Sequence, residues 1–453
     1  MKLDCSVSPC LSNSQQEFLA LGGSMVTKLI LPIAAMAILL FALGGLAQPP
    51  SQTNGEYQLA EGDAKEIVST ACTACHTLDR LDYVGFDRKG WVNIVTGMLN
   101  NGAAIPKDQV SMVTEYLIKN YPEKPMPPAA VLPGPIEISI QEWPLPSVGI
   151  RPHDTFAASD GSIWYAGQFG NVVGRLDPNN GEFKEYHPKL IRSGPHGIVG
   201  DKSGNIWFTA NFKGYIGKLD PKTGNFTEYR LPDPLVRDPH TLIFDQKGVL
   251  WFTAQVADKV GRLDPDTGEI KLIQVPTLDA RPYGIAVDLQ GIPYFVEFGT
   301  NKIASIDPET LKIREFTLPN AASRPRRLAI SPDNVIWYSD YSRGYLGRYD
   351  TRTGKVREWP SPGGAKSAPY GIAITKAGVW YSEAGVRPNT LVHFDPQSEK
   401  FQTWTIPSGG IVIRNMMATP EGNLVMACSG ANGLALVTVK SRTTMNNKMD
   451  GRQ

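Results

Sequence analysis

Cys72-Thr73-Ala74-Cys75-His76 is the most chemically specific stretch of the 453-residue chain. Two thiols separated by two residues, with an imidazole directly after the second, form the c-type haem attachment signature. Each thiol adds through sulfur to a haem vinyl group, and a helical turn brings both sulfurs to one porphyrin edge. His76 is then placed to ligate the iron from the proximal side. A structural zinc site would need a second Cys/His pair, and none accompanies this one. The remaining cysteines are Cys5, Cys10 and Cys428. Their odd total argues against a disulfide framework, and Cys428, at the end of a predicted strand, reads as a small buried apolar residue. Covalent haem c is the expected cofactor.

A second set of reactive side chains emerges from an internal repeat. Residues 195–229, PHGIVGDKSGNIWFTANFKGYIGKLDPKTGNFTEY, read as four short strands separated by Asp/Asn/Lys/Gly turns. The Asp closing the third strand recurs at Asp177, Asp220, Asp264, Asp307, Asp350 and Asp395, in steps of 43 to 45 residues. Four strands per fixed period of this length mean a β-propeller. A seventh position falls at Thr438. The last repeat lacks an outer strand, whereas Ile136–Pro146 is an outer strand with no repeat before it. Pairing the two ends closes a seven-bladed ring.

Aligned on the strand-two aromatic, two positions per blade are predicted to face one mouth of the channel. The first carries His153, His196, His240, Tyr283, Arg326, Tyr370 and Arg414. The second carries Gly167, Ala210, Ala254, Glu297, Asp340, Glu383 and Cys428. Three of the chain's six histidines therefore face three carboxylates, a combination suited to acid–base or metal chemistry.

The elements that must position these groups follow in order. Residues 1–47 form a presequence in which Met25 is the expected true start. Lys28 and the apolar run ending at Ala47 make a signal peptide cleaved before Gln48, or alternatively a membrane anchor. Export to the periplasm follows from either. Residues 48–58 are a linker, 59–121 a helical domain, 122–135 a stiff Pro-rich linker, 136–440 the propeller, and 441–453 a disordered tail. Net charge is +1, so bulk electrostatics give no reason to expect nucleic acid.

The helical segment resembles the small monohaem cytochrome c domains, whose distal ligand is usually Met. Met98, Met112 and Met126 follow His76. Met98 suits the short form of that fold, since it precedes the final helix; Met112 lies inside that helix and Met126 beyond it. The Pro-His-Gly, Trp-Phe-Thr and Leu-Asp-Pro phrases of residues 136–440 resemble the virginiamycin B lyase family, seven-bladed propellers that open a cyclic depsipeptide by elimination with Mg²⁺. That resemblance implies His196 and His240 as acid and base and Asp238 as a metal ligand. It also puts a second metal-holding acid fourteen residues after His240, where this chain has Ala254.

The expected architecture is an all-β seven-bladed propeller preceded by a small all-α cytochrome c domain. The expected function is electron transfer by an exported haem protein whose propeller binds or transforms a small molecule, with a redox protein as a further partner. The alternatives are a Mg²⁺-dependent streptogramin B lyase and a non-enzymatic binding propeller tethered to a cytochrome.

Overall fold

In the computed structural model the described residues are 57–73, 76–82 and 84–440. The signal segment, Cys5, Cys10, Cys75 and the tail lie outside them. Among the described residues, no helix is long and apolar enough to cross a membrane.

Residues 136–440 fold into seven four-stranded antiparallel sheets. Blade two shows how the sequence builds each one: Pro195–Gly200, Ile206–Ala210, Tyr215–Asp220 and Asn225–Arg230. The Asp201 carboxylate accepts from the backbone N–H of Ser203 and Asn205, both at 2.9 Å, and from Trp207 Nε1 at 2.8 Å. Asp220 accepts from Lys222 N at 2.9 Å. These Asx turns explain the periodic aspartates as hairpin chemistry. The strand-two aromatics are buried between neighbouring sheets, and Trp207 stacks on Tyr229 with ring centroids 5.2 Å apart. The ring closes as expected. Glu137–Pro144 pairs with Gly433–Lys440 from Glu137↔Lys440 to Pro144↔Gly433, completing blade seven from both ends of the propeller sequence.

The preceding segment is helical. A short helix Lys65–Ile67 continues as a π-helical turn Val68–Cys72, followed by helices Arg88–Asn100 and Val110–Asn120. Asp87 caps the second by accepting from Gly90 N at 2.7 Å. Val68, Leu78, Leu81, Trp91, Val95, Val113 and Leu117 form one apolar core. The Pro-rich linker runs against blade six rather than spanning open solvent. Thr403 N donates to Leu132 O at 3.0 Å, Leu132 N to Thr403 Oγ1 at 2.7 Å, and Gln402 exchanges two hydrogen bonds with Ile136.

The helix Arg88–Asn100 lies on the propeller mouth. A Cβ at Gly97 would sit 2.6 Å from the Phe169 ring, and one at Gly149 only 2.7 Å from Gly97 N. Glycine at both positions lets the helix backbone approach the loop that precedes blade one. Asn101 Nδ2 donates to Phe169 O at 3.3 Å across the same seam.

Candidate functional site

Each inner strand enters its sheet with a register shift at the mouth. In blade three Pro239 pairs with Ala254 and Leu242 with Phe252, so His240 and Thr241 together face Thr253. The other blades repeat the shift. An extra residue bends the strand and re-aims its side chains. A belt of hydroxyls holds this geometry: Thr253 Oγ1 accepts from Thr241 N at 3.3 Å and donates to Tyr283 O of the next blade at 2.7 Å. Thr209, Ser339 and Ser382 make equivalent bridges to His240 O, Tyr370 O and Ile413 O.

The first ring of positions converges on the channel. His153 and His196 have ring centroids 3.4 Å apart, His196 and His240 3.9 Å, and His240 and Tyr283 4.0 Å. Tyr283 and Tyr370 join hydroxyl to hydroxyl. All three histidines are 3 % exposed. Burial, followed by the nearby arginines and imidazoles, holds each well below the ordinary histidine range, so all three are neutral. Burial pushes Tyr283 up to about 12. Tyr370 is shifted the other way, because Arg326, Arg414 and Arg327 outweigh its burial. The Arg326 guanidinium lies 3.9 Å from the Tyr370 ring centroid and 4.2 Å from that of Tyr341.

The second ring does not face the histidines, contrary to the sequence expectation. Glu297, Asp340 and Glu383 pair opposite Pro282, Pro325 and Pro369, one residue before the side chains that enter the channel. Glu383 accepts from Ser361 Oγ at 2.6 Å, Gly363 N at 2.7 Å and Thr390 Oγ1 at 2.5 Å. Asp340 accepts from Arg324 N at 3.0 Å and Arg343 Nη1 at 3.1 Å. Glu297 accepts from Thr300 Oγ1 at 2.9 Å, and burial pushes its pKa up to about 7. These acids tie strands to loops inside the blades.

The carboxylate that does enter the channel is Asp154, which sequence reasoning passed over. It lies 2.9 Å from His153 Nδ1 and receives a two-pronged ion pair from Arg327 of blade five, at 2.6 and 3.1 Å. His153, Asp154 and His196 lie close enough together to hold a metal ion. Arg327 nevertheless already neutralises the one carboxylate of that group. A signal existed in the sequence: of the residues that follow the seven ring positions only Asp154 and Arg327 are charged, the others being Gly197, Thr241, Gly284, Gly371 and Asn415.

Above the ring opens a mouth cavity of about 640 Å³ that includes His153, His196, Asp238, His240, Tyr283, Arg326 and Arg414. Asp238 accepts from Val256 N, and burial raises its pKa. A second, apolar cavity lies between the helices and the mouth, with walls including Cys72, His76, Leu81, Trp91, Met98 and Val113. Met112 packs on the helical core and Met126 lies in the linker; neither lines this cavity. His76 Nδ1 donates to Thr77 O at 2.8 Å, which leaves Nε2 buried without a hydrogen-bond partner. His76, Met98, Arg151, Phe169 and Arg414 line both cavities, so the two share a wall.

Residues 136–393 match the description "Virginiamycin B lyase family". The chain belongs to that family. The match does not extend into the helical segment. Among solved structures, a streptogramin B lyase is 25% identical with a TM-score of 0.62, covering 67% of this chain and 98% of that one. Virginiamycin B lyase from Staphylococcus aureus is 23% identical with a TM-score of 0.61, covering 67% and 99%. A catalytically inactive histidine-to-alanine form of the Staphylococcus aureus enzyme with quinupristin is 22% identical, with a TM-score of 0.60 over the same shares. Comparison with curated proteins finds no match.

Proposed function

We propose that this virginiamycin B lyase family member is an exported c-type haem protein with electron-transfer function, whose propeller mouth binds or transforms a small molecule beside the haem. The observation that carries the reading is His76 Nε2, a buried lone pair with no hydrogen-bond partner, in an apolar cavity that it shares with Cys72 and Met98. The donor set fits the group. Cys72 and Cys75 would hold it covalently, His76 Nε2 and the Met98 thioether would ligate its iron, and Arg151 and Arg414 would face its carboxylates. When bound, haem carries single electrons, and a thioether ligand favours the ferrous state. The protein's part is to exclude water with the Leu81, Trp91 and Val113 wall and to fix the His76 tautomer through Thr77 O. The wall shared by the two cavities supports a mouth-bound molecule as the electron donor or acceptor.

The test is the alkaline pyridine spectrum of purified protein after denaturation. Covalent haem is expected, held by one thioether in Cys72→Ala and lost only in Cys72→Ala with Cys75→Ala; haem that extracts freely from the unmutated chain sinks the reading. Met98→Ala should convert the ferric spectrum from low to high spin. Reduction of the haem by members of a panel of periplasmic small molecules would tie the mouth to the redox chemistry.

Family membership and the contact between His196 and His240 favour a second reading, a metal-dependent streptogramin B lyase with these two as acid and base. Mg²⁺ needs several oxygen ligands. Among the described residues of the mouth cavity only Asp238 offers a carboxylate, with Ala254 at the second acid's position and five cationic side chains around it. The residues fit that ion poorly. Metal-dependent opening of a streptogramin B, abolished by His240→Ala and leaving the haem spectrum unchanged, would establish this reading over the first.

A further inference from the structure

We propose that the propeller mouth is a site for an organic anion, its acidic head held by Arg326 and His196 and its apolar body by Phe169, Phe212 and Val256 at the rim; this rests on the mouth being the small-molecule site. Charge is the first argument. The cavity is lined by Arg151, Arg192, Lys213, Arg326 and Arg414 against one carboxylate, Asp238. Burial biases that carboxylate towards its neutral form. Arg327 is already neutralised by Asp154, and the neutral imidazoles add no charge of their own.

Unpaired buried nitrogens are the second argument. Arg326 Nε, Arg414 Nε and His196 Nδ1 are buried without a hydrogen-bond partner, which is costly unless a ligand supplies partners. Arg151 and Arg414 also line the apolar cavity, where the haem carboxylates would meet them; Arg326 and His196 line only the mouth. The aromatic cage of Tyr283, Phe298, Tyr341 and Tyr370 holds the Arg326 guanidinium in place. The same field disfavours a metal cation. The rim supplies the third argument: Phe212 and Val256 are 38 % and 82 % exposed at the cavity edge, and Phe169 and Phe212 have ring centroids 6.3 Å apart. A cavity of about 640 Å³ is in the usual range for a small organic ligand.

The experiment is calorimetric titration of the full-length protein with benzoate, and with inorganic phosphate as an anion lacking an apolar body. Benzoate should bind saturably, about tenfold more weakly in Arg326→Gln. Val256→Asp, an exposed change that leaves the fold intact, should weaken it about fivefold by repulsion and lost apolar contact. Absence of saturation at about 10 mM benzoate, or equal affinity in the native chain and both variants, overturns the proposal. Phosphate binding more tightly than benzoate overturns the apolar half of it. Benzoate binding by protein that carries no covalent haem would keep this inference and sink the haem reading; covalent haem without benzoate binding would do the reverse.

Discussion

The two sides of the propeller mouth use the same strand positions for opposite chemistry. Blades one to three place His153, His196 and His240 in the channel and keep Gly167, Ala210 and Ala254 behind them. Blades four to six place Tyr283, Arg326 and Tyr370 there and put Glu297, Asp340 and Glu383 behind. The histidine side is a stack of neutral rings lining the cavity, with His153 Nδ1 against Asp154 and His240 Nδ1 against Thr241 Oγ1. The tyrosine–arginine side is a cation in an aromatic cage, backed by carboxylates that fasten its loops. Residue type alone therefore does not identify a functional group. A histidine here is accessible to a ligand, while an acid at a neighbouring alignment column is structural.

The strongest break of this comparison is at the bond joining the two sides. Asp154 and Arg327 are 3 % and 5 % exposed and pair across the channel. Arg327→Leu leaves a buried carboxylate unpaired and should cost about 3–5 kcal/mol in a denaturant melt. Arg327→Leu with Asp154→Leu should recover most of that loss, because it buries no charge. If the single variant melts with the unmutated protein, the pair is not holding the mouth together.

Acid tests the histidine side next. The imidazoles are neutral in the folded protein at pH values where an unfolded histidine, near pH 6.5, has begun to bind a proton. The unfolded state then holds more protons, so stability is full above about pH 6.5 and falls as pH drops below it. The slope approaches about 1.4 kcal/mol per pH unit for each imidazole. His196→Gln should flatten the slope of stability against pH between 6 and 5 by one imidazole's share.

The opposite side responds to a rise in pH from the acidic range. Burial raises the Glu297 carboxyl to about 7, so the folded state holds the extra proton and stability falls as pH rises from about 4.5 towards 7. Glu297→Gln removes that loss, with a gain of up to about 3 kcal/mol at pH 8 and none at pH 4. A gain that is equal at both pH values would mean that Glu297 is not the group responsible.

These differences also mark how far the sequence could be read. The fixed Asp period, the outer strand without a preceding repeat and the strand-two aromatics were enough for seven blades and their closure, because hairpin turns and period-two strands have local signatures. The three histidines were legible as a cluster for the same reason. The direction of the acids was not. Regular alternation would have turned both columns to the channel, but the register shift at each blade entrance adds a residue to one strand only. Asp154 shares with His153 the place opposite Ala166, and Arg327 directly follows the added residue Arg326, so a strict two-column alignment steps over both. The placement of the apolar cavity against the mouth depends on Gly97 meeting Gly149 and Phe169, a contact between elements that share no local pattern.

The finest test uses the hydroxyl belt, which is itself uneven around the ring. Thr209, Thr253, Ser339 and Ser382 bridge from their own blade's register shift to the next blade's backbone, whereas blade four has Val296 at the same position. Val296 is fully buried, so a hydroxyl placed there gains nothing from water and must find protein partners. By analogy with Thr253, the Oγ1 of Val296→Thr would accept from Gly284 N and donate to Arg326 O. Thr and Val are similar in volume, so the exchange adds little strain. With both partners in reach the net effect should be a gain of up to about 1 kcal/mol; with neither, burial of the bare hydroxyl should cost about 1–3 kcal/mol. A loss of that size would mean that the strand entering blade five is shifted away from the geometry of its neighbours, with Arg326 oriented by its aromatic cage alone.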